Sequence, residues 1–120
     1  MGKLLFLGYQ KCSTSRKAQK WLDNRGIEYD WRDITVDNPS ASELKAWHQL
    51  SGLPIRRLFN TSGVSYREQR VKNQLDAGMS DAQAYKLLAT DGKMVKRPVL
   101  VAGDFVFFGF KEDEWAARLL

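Results

Sequence analysis

The chain has 120 residues, enough for one domain with a real core and too few for two independent ones. Its 19 Lys and Arg against 14 Asp and Glu leave a net charge of +5, but the cations are spread along the chain in pairs no longer than Arg56-Arg57 or Lys96-Arg97. Direct nucleic-acid binding therefore ranks below plain solubility or a small anionic ligand. No stretch reaches the roughly 20 apolar residues of a membrane span, the apolar run in MGKLLFLGYQ is too short for a secretory signal, and a single cysteine excludes an internal disulfide. The expectation is a soluble, cytoplasmic protein with no membrane partner.

The apolar run Leu4–Leu7 predicts a first strand that stops at Gly8. Ser13–Arg25 carries Ala18, Trp21 and Leu22 at the i, i+3, i+4 spacing of a helix with one buried stripe, and Gly26 is its natural stop. Tyr29–Arg32 alternates aromatic and charged residues and predicts a second strand. A β-α-β unit of this kind places its strands parallel.

Asp37-Asn38-Pro39 is a turn, and Ser40-Ala41-Ser42-Glu43 has the form of a capping box that opens a helix with Leu44, Trp47 and Leu50 on one face, ending near Ser51-Gly52. Its His48, one place round from Trp47, is expected in a surface or packing role. Ile55–Phe59 reads as a short helical turn and Asn60-Thr61-Ser62-Gly63 as a loop. A second capping box, Ser80-Asp81-Ala82-Gln83, opens a helix through Tyr85, Leu87 and Leu88, and Asp91-Gly92 turns the chain back. Residues 37–90 thus form a helical insertion. Val99–Val101 and Phe105–Phe108 are strands of a hairpin turned by Ala102-Gly103-Asp104, and a last helix starts at about Glu112 with Trp115 and Leu119 one turn apart. The sum is a small α/β sheet covered by helices.

Chemistry is expected at Cys12, between the first strand and the first helix. Unpaired amides and the positive end of the dipole at a helix start stabilise a thiolate there. Ser15, three residues on, can donate a hydrogen bond to that thiolate; it stands where a dithiol oxidoreductase has its second cysteine, so any redox cycle needs an external thiol. Arg97, before Pro98 at the start of the third strand, offers a planar fork of donors to a tetrahedral oxyanion, and the Arg97-Pro98 bond is a candidate cis peptide. Of the adjacent Arg56 and Arg57, at most one is expected to reach a site.

The set Cys12-Ser13-Thr14-Ser15-Arg16, Ile55-Arg56-Arg57-Leu58-Phe59-Asn60, Lys96-Arg97-Pro98-Val99 and Gly109-Phe110-Lys111 resembles, over nearly the whole length, the arsenate reductase (ArsC)/Spx family. The resemblance implies a single thioredoxin-like domain over residues 1–120 with the helical insertion between its βαβ and ββα halves. It implies Cys12 as nucleophile, Ser15 as its hydrogen-bond partner, and Arg97 with Arg56 or Arg57 as oxyanion-binding residues. No bound cofactor is implied, but an external thiol such as glutathione is, with glutaredoxin or thioredoxin as partners. The dedicated reductases carry a further arginine after the hairpin, where this chain has Phe110 beside Lys111. The Spx branch implies a different role, a transcription regulator that binds the α subunit of RNA polymerase, usually through a C-x-x-C switch that Ser15 removes.

Overall fold

The structure, a computed structural model, describes residues 4–120. Four strands, β1 (Leu4–Gly8), β2 (Tyr29–Asp33), β3 (Val99–Val101) and β4 (Val106–Phe108), form one sheet in the order β2-β1-β3-β4. β1 and β2 run parallel, with Phe6 opposite Trp31, while β1–β3 and β3–β4 are antiparallel. The intervening helix, α1 (Ser13–Asn24), supplies the crossover that a parallel pair requires.

The two-residue period of the strands divides the core. Phe6 and Leu100 face one side, where they meet Ala18, Trp21 and Leu22 of α1 and Trp115 of the last helix. Leu7, Val99, Val106 and Phe108 face the other and pack against the insertion. Full burial of one such side chain contributes about 1.5–3 kcal/mol. The sheet is thus fixed from both faces, and the β1–α1 turn, at the end of a strand paired on both sides, is held on a rigid base.

The insertion contains α2 (Ala41–Ser51), α3 (Val64–Glu68), α4 (Val71–Asp76) and α5 (Asp81–Ala89), and α6 (Glu112–Leu119) closes the chain. Both predicted capping boxes are formed in full, at Ser40/Glu43 and Ser80/Gln83. Two features differ from the sequence expectation. Leu50 lies 43% exposed while Leu44 and Trp47 are buried, because the covered stripe of α2 ends one turn before the helix does. The helices α3 and α4 have only five and six residues and are parted at Arg70, whose φ of 51° is left-handed, so neither is long enough to show a helical period in the sequence. Burial of Tyr66, Val71 and Leu75 holds them.

The insertion is tied to the segment that enters β3. Asn60 N donates to Met94 O (2.7 Å), Lys96 N donates to Leu58 O (2.8 Å), and Phe59 and Val95 form an antiparallel bridge. A short 3-10 turn at Gly92–Met94 precedes this bridge. Gly92 lies against the end of β2 so closely that a Cβ there would stand 1.7 Å from Ile34 O.

Candidate functional site

After β1 the backbone closes a tight turn, Cys12 N donating to Tyr9 O at 2.9 Å, and Cys12 becomes the N-cap of α1 in extended geometry (φ −91°, ψ 118°). Its side chain does not cap a backbone amide, and the first turn of the helix contains no acid to neutralise the positive end of the dipole. Ser15 is 1% exposed. Its Oγ accepts from Tyr9 N at 3.2 Å, which fixes the turn and leaves the hydroxyl hydrogen for the sulfur. Burial pushes the Cys12 thiol up, but the Ser15 hydroxyl and amide, followed by the Arg97 guanidinium, outweigh it and hold the thiol below the ordinary cysteine range.

Arg97 reaches this turn from the neighbouring strand, two residues before the start of β3, and the Arg97-Pro98 bond is cis. Its Nη1 donates to Lys93 O at 3.3 Å and its guanidinium carbon lies 5.7 Å from the centre of the Tyr9 ring. Its Nε is buried with no protein acceptor. Lys93 Nζ approaches the same Tyr9 ring at 5.4 Å. Two cations therefore lie within cation–π reach of the Tyr9 ring.

Cys12, Lys93 and Arg97 open onto a groove of about 580 Å³. Cys12 and Thr14 form one wall, Lys93, Lys96 and Arg97 the next, and Asn60, Ser62, Gly63, Val64 and Ser65 the third. Among the described residues, no carboxylate lines it. Asp91 stands behind these walls, accepting from Ser65 Oγ and from Lys93 N, both at 2.9 Å. Among the described residues, none of Lys93, Lys96 and Arg97 has an acidic partner within 4.0 Å. At Gly109, whose φ is 90°, the missing Cβ leaves room for the Lys96 stem, which would be 3.1 Å from it.

The structure thus brings Cys12, Ser15 and Arg97 together and leaves Arg56 and Arg57 outside the groove. Arg56 forms an exposed ion pair with Asp76 of α4. Arg57 lines a different small cleft, with Lys111 and Glu114 beside β4 and α6. Lys111 does not compensate for the missing arginine, since it lies 3.7 Å from Glu114 in that second cleft. Phe110 packs edge-on to Trp21 and Trp115, at 6.1 and 4.8 Å between ring centres, as part of the α1/α6 core. Lys93, Lys96 and Tyr9 were the groups that sequence reasoning missed. Lys96 adjoins Arg97, but Lys93 joins them only because the 3-10 turn folds it back, and no local pattern announces that. His48 is structural: Nε2 donates to Leu53 O (2.8 Å), so Nδ1 accepts from the Tyr85 hydroxyl (2.6 Å).

The ArsC family model matches residues 7–118, a span that holds both the Cys12 turn and the cis Arg97-Pro98 bond. The chain belongs to the ArsC family. A crystal structure of an ArsC family related protein from Bacteroides fragilis superposes with a TM-score of 0.92 at 51% identity, covering 97% of each chain. The protein YusI of Bacillus subtilis is 46% identical over 93% of this chain and 94% of its own length. A Streptococcus mutans structure described as a possible arsenate reductase is 38% identical with a TM-score of 0.86, covering 97% of this chain and 99% of its own. More distantly, the global transcriptional regulator Spx 2 of Bacillus anthracis is 23% identical over 86% of this chain and 76% of its own length. The ArsC-family fold of this chain is thus the arsenate-reductase-like variant of the thioredoxin-like α/β fold. Among the described residues, no helix is long and apolar enough to cross a membrane.

Proposed function

We propose that this chain is an arsenate-reductase-like thiol oxidoreductase in which Cys12 is the single nucleophile and an external thiol of the glutathione or glutaredoxin type completes the cycle. The observation that carries this reading is the placement of Cys12 as N-cap of α1, with buried Ser15 and the Arg97 guanidinium both acting to favour its thiolate. The Cys12 thiolate attacks one sulfur of a disulfide, a new Sγ–S bond forms, the old S–S bond breaks, and the leaving thiolate takes the electron pair and then a proton from water. A second thiol attacks the mixed disulfide and returns Cys12 to its reduced form.

The same thiolate has the position to attack a tetrahedral oxyanion, with Arg97 stabilising the developing charge. Here the groove supplies one arginine fork where the family's dedicated reductases use several, and the lysines nearby are point charges that cannot reproduce bidentate donation. Mixed-disulfide formation is therefore expected to be ready, and arsenate reduction slow. Mass spectrometry of the protein after exposure to oxidised glutathione, beside arsenate turnover coupled to glutaredoxin, tests the two halves. A wild-type chain that reduces arsenate vigorously refutes the limitation, and one that forms no Cys12 adduct refutes the oxidoreductase reading.

The similarity to Spx supports one rival reading, a regulator that contacts RNA polymerase. A purified chain that captures the carboxy-terminal domain of the polymerase α subunit, with an inert Cys12, would favour it.

A further inference from the structure

The groove beside Cys12 is much larger than a tetrahedral oxyanion needs. Such an ion has the volume of about two or three waters at roughly 30 Å³ each, and the groove has about 580 Å³, in the range of pockets that hold a small organic molecule. Its charge is one-sided as well. Lys93 and Lys96 stand along it with no acidic partner among the described residues, and its remaining polar lining consists of hydroxyls and one amide. A site that only had to ionise a thiol would not require this much open, cationic wall; a site that grips the rest of a molecule joined to the reacting sulfur would.

We infer that Lys93 and Lys96 form a second subsite that receives the carboxylates of an anionic small-molecule disulfide while Cys12 attacks its sulfur. The inference rests on the proposed thiol chemistry and deepens it by assigning the charge class of the substrate. The reaction is the exchange already described: the Cys12 sulfur bonds to one half of the disulfide, and the other half leaves as a thiolate that takes a proton from water. Lys93 is held by its backbone, whose carbonyl accepts from both Arg97 Nη1 and Asn60 Nδ2 at 3.3 Å, and its ammonium is placed by the Tyr9 ring. Lys96 is placed by the space over Gly109. Neither cation is tied into an ion pair that a ligand would have to break.

Three disulfides of similar size and different charge test this: dithiodipropionate, which is anionic, hydroxyethyl disulfide, which is neutral, and cystamine, which is cationic. The rate of Cys12 adduct formation by stopped alkylation and intact mass is expected to fall in that order for the full chain, and the spread to narrow as ionic strength rises. The anionic-to-neutral rate ratio cancels any general change in thiolate content. In a Lys93→Gln, Lys96→Gln double variant this ratio is expected to fall by about threefold to tenfold, the range that two exposed charge contacts supply. Lys45→Gln, on the exposed face of α2 outside the groove, is expected to leave it unchanged. Equal rates with all three disulfides, or a ratio unmoved in the double variant, would overturn the subsite and leave the thiol reading standing. A Cys12 inert toward all three would overturn the thiol reading, and the subsite with it.

Discussion

Two turns of this molecule each carry a partly buried arginine, and they treat it in opposite ways. Near the end of β2, Arg32 reaches over the turn that leads to α2, donating Nη1 and Nη2 to the two Glu43 oxygens (2.8 and 3.0 Å), Nε to Asp37 O (3.0 Å) and Nη2 to Asn38 O (3.2 Å). Asp37 adds a second carboxylate at 3.2 Å. In the approach to β3, Arg97 has no carboxylate partner: it makes one long bond to Lys93 O, a hydrogen bond toward the Cys12 sulfur, and faces the thiol groove. A guanidinium whose donors and charge are matched by the protein holds the chain together. One whose charge is left unmatched beside a nucleophile is available to a ligand.

The segment where these turns touch should be the most sensitive to change. Gly92 packs on Ile34 O next to the Arg32 turn and starts the 3-10 turn that delivers Lys93 and leads on to Arg97. Gly92→Ala forces backbone against backbone at 1.7 Å, which neither side can relieve by rotating a side chain. A loss of roughly 3 kcal/mol or more is expected, of the size of serious core overpacking. Chemical denaturation should show it together with slower Cys12 adduct formation, and retained wild-type stability would disconnect the two turns.

Next in size, Arg32→Ala should destabilise by about 1 kcal/mol, since it removes charge-assisted bonds to Glu43, which keeps Ser40 N as a donor, and to two backbone carbonyls. Cys12 titration should stay where it is. The pair also predicts a pH dependence. Arg32 beside Glu43 holds that carboxyl below its ordinary value, so its contribution is full above about pH 4.3 and is lost as pH falls through the lowered folded value. Glu43→Gln should flatten that part of the acid limb of the stability curve. An unchanged limb would mean that the pair is screened to irrelevance.

Arg97→Ala should do the reverse, with little loss of stability and a weaker groove. Sulfate or arsenate titrations are expected to show a loss of about tenfold or more, as one charge-assisted contact contributes. Arg56→Ala and Arg57→Ala should lose far less, because neither lines the groove. Equal losses in all three would mean that the insertion rearranges to bring Arg56 in when an anion binds.

This contrast also explains what the sequence could and could not disclose. The β-α-β and β-β-α order, both capping boxes and the strand alternation follow from residues a few positions apart, and the Cys12–Ser15 spacing and the Arg97-Pro98 pair are equally local. Whether an arginine is matched is not local. Arg56 meets Asp76 twenty residues away, and Phe110 turns toward Trp21 and Trp115 because a core on that face of the sheet receives it. The same holds for Lys93, which belongs to the groove through a fold in the backbone rather than through any motif. Short helices such as α3 and α4 escape for a related reason, their stability coming from burial against other elements instead of from a pattern of their own.

The smallest effect expected is also the one that separates the thiol from its arginine. Ser15 acts on Cys12 through both its hydroxyl and its amide, while Arg97 acts through one hydrogen bond and its charge. Ser15→Ala removes the hydroxyl and keeps the amide, so the thiolate should form at higher pH than in the wild type but still below an unassisted cysteine. The variant also leaves Tyr9 N without its acceptor, and loosening of the turn should show as a modest stability loss of about 1 kcal/mol. Linkage gives the sign of a further difference. A thiol whose folded value is lowered contributes stability that is full above the ordinary cysteine value, about 8.5, and is lost as pH falls through the folded value. Wild type should therefore gain on Cys12→Ser as pH rises across that window, and Ser15→Ala should gain less. Thiolate absorbance against pH measures the midpoint, and denaturation at two pH values measures the linkage. If Ser15→Ala leaves the midpoint in place, the helix amides and Arg97 alone ionise Cys12, and the buried hydroxyl serves only to pin Tyr9.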